Sequence, residues 1–162
     1  MQQTTGDPKG RVKALRIVTL ALVTGVVIFA LIVVGLVQAI EPPLLPEEDL
    51  PGPDTGLYVA AGARLLGLVM AFTLFNKKMN GIALMEGSLQ EKLSRYNSTL
   101  ILFMALCEGP ALLSVIILFL TKQYAVLVVT AVMVAAMLSK LPTKAKVIEL
   151  LKPDWEEQQQ LE

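Results

Sequence analysis

The sequence predicts an all-α membrane protein that crosses a lipid bilayer with four helices. Three observations carry this expectation. The chain of 162 residues is 54% hydrophobic and 17% charged, whereas a soluble domain is about one quarter charged. The apolar residues gather into long runs almost free of charge. Lysine and arginine alternate between rich and poor segments along the chain. No run alternates with period two, and a lipid core satisfies no backbone polar group, so helices are expected rather than a barrel.

A bilayer core of about 30 Å needs roughly 20 apolar residues at about 1.5 Å each. Four segments meet that requirement: 17–40, 56–75, 97–120 and 123–141. The first is uncharged and lies between Arg16 and Glu41. Only Arg64 interrupts the second and only Glu108 the third. The fourth and shortest begins after Lys122, and Pro142 stops it. The first run also has the basic start of a signal peptide, with Val37-Gln38-Ala39 as a loose cleavage site. Its apolar stretch is longer than the roughly 7–15 residues of such peptides, which favours a retained anchor.

The predicted organisation is a cytoplasmic N-terminus over 1–16, a transmembrane domain over 17–141 and a cytoplasmic tail over 142–162. Lys9, Arg11, Lys13 and Arg16 precede the first span; Lys77, Lys78, Lys92 and Arg95 lie between the second and third; Lys140, Lys144 and Lys146 close the fourth. The segment after the first span holds five acids and no Lys or Arg, and the third loop holds only Lys122. The positive-inside rule therefore places both termini in the cytoplasm of a bacterial inner membrane.

The first loop, from Glu41 to Thr55, carries five prolines and should be stiff and extended. Ser88 and Glu91 form a capping-box pattern that starts a helix near Leu89. The tight turn Thr121-Lys122-Gln123 predicts an antiparallel hairpin of the third and fourth spans. In the tail, Thr143 starts a short helix with Val147, Ile148, Leu150 and Leu151 on one face, suited to the membrane surface. The segment from Asp154 to Glu157 is expected to cap a final polar turn.

Ala21-Leu22-Val23-Thr24-Gly25 also aligns with Ala105-Leu106-Cys107-Glu108-Gly109. This suggests two duplicated parallel helical hairpins, in which Thr24 occupies the place of Glu108.

Glu108 is the most informative residue. A carboxylate in mid-membrane costs an estimated 2.5–3.5 kcal/mol on insertion scales. Protonation or a cation removes that cost. Pro110 has no N–H, so the carbonyl of Leu106 loses its helical partner close to the carboxyl. Glu108 and Leu106 thus form a candidate ion or proton site, with Thr24 as the counterpart in the first repeat. Arg64, near mid-depth in the adjacent span, is the natural partner for a fixed ion pair. The alternatives are a site that loads and releases a proton, or an Arg64 that snorkels outward. Gly109 and Pro110 mark a helix kink, and Gly25, Gly67 and Gly109 mark close approach of helices.

The composition also excludes functions. With no histidine and one cysteine, Cys107, the chain lacks the commonest catalytic base, a disulfide framework and a cysteine-rich metal site. No P-loop or Ser-His-Asp pattern occurs. An enzyme, a metal, a cofactor and a nucleic-acid partner are not expected. The expected partners are the lipid bilayer and either another membrane protein or a second copy.

The stretch from Lys92-Leu93-Ser94-Arg95-Tyr96 through Cys107-Glu108-Gly109-Pro110, with Pro142-Thr143-Lys144-Ala145-Lys146, resembles small four-span inner-membrane proteins of Bacteroidota. That resemblance implies the fold and location but no mechanism. Ala105-Leu106-Cys107-Glu108 is also similar to the carboxylate helix of rotary ATPase proteolipids (subunit c). The glycine-rich first helix of proteolipids is missing here. The expectation is a small inner-membrane subunit or homo-oligomer with an intramembrane Arg64–Glu108 pair. Its alternatives are a proton- or cation-coupled carrier using Glu108, and a membrane scaffold or binding module.

Overall fold

The protein is all-helical in a computed structural model that describes residues 8–40, 53–85 and 87–151. Five α-helices follow in order: α1 Pro8–Ala39, α2 Pro53–Ala83, α3 Leu89–Thr121, α4 Leu127–Ser139 and α5 Lys144–Leu151. A 3-10 turn, Tyr124–Val126, leads into α4. No strand occurs among the described residues. Two helical segments, Gly10–Ala39 and Leu89–Thr121, are long and apolar enough to cross a membrane; Tyr124–Ser139 is apolar and shorter.

The expected helix start near Leu89 is present. Ser88 has extended backbone and its side chain accepts from the Glu91 N–H. The first three expected stretches are the cores of longer helices, whereas the fourth, 123–141, is a shorter α-helix, Leu127–Ser139, entered through the 3-10 turn. The first helix begins at Pro8 and the second continues to Ala83, because charged residues at the ends do not interrupt a backbone ladder that water or headgroups can solvate. The segment 41–52 of the acidic first loop and the tail beyond Leu151, including the 154–157 turn, lie outside the described residues.

α3 is the central helix, and α1, α2 and α4 all pack on it. It ends at Lys122, whose φ of 57° lies in the left-handed region, and the Lys122 N–H closes the last turn on the carbonyl of Leu118. That reversal sends the chain back as the expected antiparallel hairpin. Thr130 on α4 then donates to the carbonyl of Ala111 on α3 at 3.4 Å.

α1 runs parallel to α3. It buries Val12, Leu15, Thr19, Val23, Val26, Val33 and Val37. Their spacing of three and four residues, broken only at half-buried Ala30, forms one narrow seam. Val33 and Val37 share a core cluster with Val115 and Leu118.

α2 runs antiparallel to α3. Phe72 and Phe75 meet Phe103 edge-on at centroid distances of 5.2 and 5.3 Å. α1 and α2 scarcely touch, whereas α3 and α4 pack closely. The two sequence hairpins therefore differ in packing, and the exchange symmetry expected of a duplicated pair is not seen.

α5 starts as expected, with Thr143 Oγ1 accepting from the Lys146 N–H at 3.3 Å. It does not lie free on a surface. It packs on α2, and Val147 and Leu151 are fully buried in the main core.

The rest of the surface is unusually apolar. On α1 every large exposed residue from Ile17 to Leu36 is hydrophobic, with Leu31 67% exposed. Leu65, Leu66, Val69 and Met70 on α2, Leu113 and Ile116 on α3, and Val128 and Val132 on α4 continue this belt. Soluble monomers rarely expose contiguous apolar patches of more than a few hundred Å². Along α1 the belt is about 29 Å tall, which matches a hydrocarbon core.

Candidate functional site

Glu108 lies near the middle of α3, within the belt, and is half-buried. Its neighbours on the helix explain this placement. Cys107 and Ala111 point into the core, fully enclosed, while Ala105 and Gly109 are exposed. Glu108 sits on the flank between these two faces. The register that joins Val33 to Val115 puts Glu108 level with Val26 of α1. Thr24, two residues before Val26, has an exposed side chain.

Arg64 is 8% exposed on α2. The structure does not bring it to Glu108. Among the described residues the one ion pair is Arg95–Glu91, at 3.2 Å on the surface of α3. Two features of the helix geometry separate the expected partners. First, Ala71, Phe75, Phe103 and Leu106 share one seam, and extending that antiparallel register places Arg64 near Leu113, about 7 Å further along the axis than Glu108. Second, α2 covers the side of α3 that carries Phe103, and Glu108 projects about 140° around the helix from Phe103. Adjacency of two spans brought the helices together without bringing these two side chains together.

α3 continues as a helix through Pro110. Proline still removes the N–H that the Leu106 carbonyl would receive. Ser114 Oγ donates to the Pro110 carbonyl at 2.8 Å and so binds the next turn back on itself. The glycines do not act as close-approach points inside the chain. A Cβ built on Gly25, Gly67 or Gly109 meets nothing within 4 Å, because all three sit towards the periphery of the bundle.

The site is thus a carboxyl on α3, in the apolar belt, to which no other described residue supplies a cation or a donor; the freed Leu106 carbonyl lies about 160° around the helix from it. No group of three or more His, Cys, Asp or Glu positioned for a metal occurs among the described residues.

Three lysines that the sequence marked only by their charge make specific contacts. Lys122 Nζ donates to the carbonyl of Ile40, just past the end of α1. Lys140 Nζ stands over the rings of Phe75 and Phe72 at 4.7 and 5.1 Å. Lys146 Nζ donates to the Ser139 carbonyl at 2.8 Å. The available signal was a lysine placed immediately beyond an apolar run, where a flexible stem reaches back to a helix end.

No protein-family model, curated protein or solved structure matches this chain.

Proposed function

We propose that this chain is a small four-span inner-membrane protein, with both termini in the cytoplasm, that works as a subunit of a membrane assembly. The flank of α3 bearing Glu108 docks against a further membrane helix, supplied by a partner protein or a second copy. The observation that carries this reading is a half-buried carboxyl in mid-belt with no ion pair or hydrogen bond among the described residues. In lipid such a group is expensive. A hydrogen bond from a neighbouring helix, worth about 1–2 kcal/mol in model peptides, reduces that cost and drives association.

Support for four crossings comes from the apolar belt shared by α1 to α4. Arg11, Lys78, Arg95 and Lys140 cluster at one end of the bundle, and the positive-inside rule makes that end cytoplasmic. The test is cross-linking in native membranes. A cysteine at exposed Ala105, in a Cys107→Ala background, is expected to form a disulfide or bifunctional adduct across the docked face. Glu108→Leu is expected to abolish the adduct, while Glu108→Gln, which still hydrogen-bonds, retains it. Equal adducts in all three chains refute the docking role.

The second reading is a proton- or cation-coupled carrier. It is favoured by the Glu108 carboxyl itself, an ionisable group inside the apolar belt, where such residues mark ion and proton pathways. In sealed liposomes such a carrier gives proton or cation flux that Glu108→Gln eliminates without loss of folding. A subunit that only docks gives no flux in either form.

A further inference from the structure

The basic end of the bundle contains a cleft with no part in the docking reading. It has a volume of about 170 Å³ and is lined by Phe75, Tyr96, Lys140, Lys146 and Glu149, among others. Two aromatic rings hold Lys140 and the Ser139 carbonyl holds Lys146. These contacts fix both ammonium groups without neutralising them, because rings and a carbonyl carry no net charge. The two lysines are close enough to repel each other. Glu149 lines the cleft but pairs with neither. Tyr96, only 1% exposed, forms no hydrogen bond among the described residues. An ammonium has three donors, and a phenol has one.

Two fixed cations and an unused phenol donor suit a phosphate group, whose oxygens accept strong charge-assisted bonds. Leu138, next in sequence to Ser139 of the cleft lining, is exposed and belongs to the apolar belt. A diacyl ligand can therefore seat its headgroup and lay its chains on the belt. We propose that this cleft binds the phosphodiester of an anionic phospholipid, with Lys140 and Lys146 holding the phosphate and Tyr96 donating to it. The proposal rests on the reading of the chain as a membrane protein whose basic end is cytoplasmic. The cleft between α2 and α3 that contains Lys78 and Arg95 is larger, about 450 Å³. Arg95 there is already paired with Glu91, so it competes poorly.

The test is native mass spectrometry of the full chain in detergent, titrated with phosphatidylglycerol or phosphatidylcholine. Each lysine is worth roughly fivefold in affinity for an anionic headgroup. The wild type is expected to prefer phosphatidylglycerol by more than tenfold. The preference is lost in K140Q/K146Q, kept in K140R/K146R, and kept in K78Q. Equal binding of both lipids by a detergent-dependent wild-type protein overturns the site alone. Equal preference in the wild type and K140Q/K146Q does the same. Displacement of the lipid by millimolar inorganic phosphate overturns the lipid as the source of the phosphate. A chain that stays monodisperse without detergent overturns the membrane reading, and the lipid site with it.

Discussion

Lys122 ties the two parallel helices together: its ammonium donates to the carbonyl of Ile40, a residue 82 positions earlier. The same residue holds the left-handed backbone that ends α3. Its side chain and its backbone therefore act in opposite senses. Hydrogen bonds involving a charged group contribute about 1.5–3 kcal/mol, while a non-glycine residue in the left-handed region costs about 1–2 kcal/mol. Lys122→Met removes the tie and keeps the strain, and is expected to lower stability by about 2 kcal/mol. Lys122→Gly removes both and is expected to lose clearly less. Thermal denaturation of the two variants in detergent checks the order; a Gly variant less stable than the Met variant contradicts it.

Phe103 is the keystone between α2 and α3, because it touches both Phe72 and Phe75. α2 has little else to pack on besides α5. Phe103→Ala is expected to cost about 3–5 kcal/mol, mostly by freeing α2. Limited proteolysis in detergent should then cut near the 84–88 connection first, with α3 and α4 still protected. Cleavage distributed evenly over all helices argues against this hierarchy.

Burial pushes the Tyr96 phenol up to about 12 from the usual 10. Between these values the unfolded chain has lost the proton and the folded chain still holds it. Stability is therefore full below pH 10 and declines as pH rises toward 12, by about 2–3 kcal/mol in all. Tyr96→Phe should remove this part of the decline. Denaturation midpoints at pH 9 and pH 11.5 for the two proteins measure it, and parallel losses in both point to other groups.

The seam of α1 makes a site-by-site prediction. Nitroxide labels on cysteines at Ile17, Ile28 and Leu31, in a Cys107→Ala background, are expected to be highly accessible to oxygen and shielded from polar relaxants. Labels at Thr19, Val26 and Val33 are expected to be immobile and shielded from both. An accessibility pattern without a repeat of three and four residues is incompatible with the observed packing.

Much of the fold was legible because lipid solubility and helix capping are local properties. The runs around Val26 and Met104, the Ser88 cap and the Lys122 turn are each written within a few neighbouring residues. The contacts of Arg64 and Glu108 were not legible. They depend on how far one helix slides and rotates against another, and that is decided by the distant aromatic cluster at Phe72, Phe75 and Phe103. The glycines were not decisive within the chain for a similar reason. A small residue permits close approach, but which helix approaches is set by the whole bundle. The place of α5 was half legible: its apolar face was evident, and only the fold shows that α2 covers it.

The central position of α3 also orders events during synthesis. α1 and α2 leave the ribosome first, and they scarcely touch each other. Among the described residues neither has much to pack on until α3, Leu89–Thr121, emerges. The first two segments must therefore wait as separate helices, and the bundle consolidates only when the third arrives between them. A ribosome stalled before residue 89 leaves an unassembled pair, open to any membrane-resident quality-control protease.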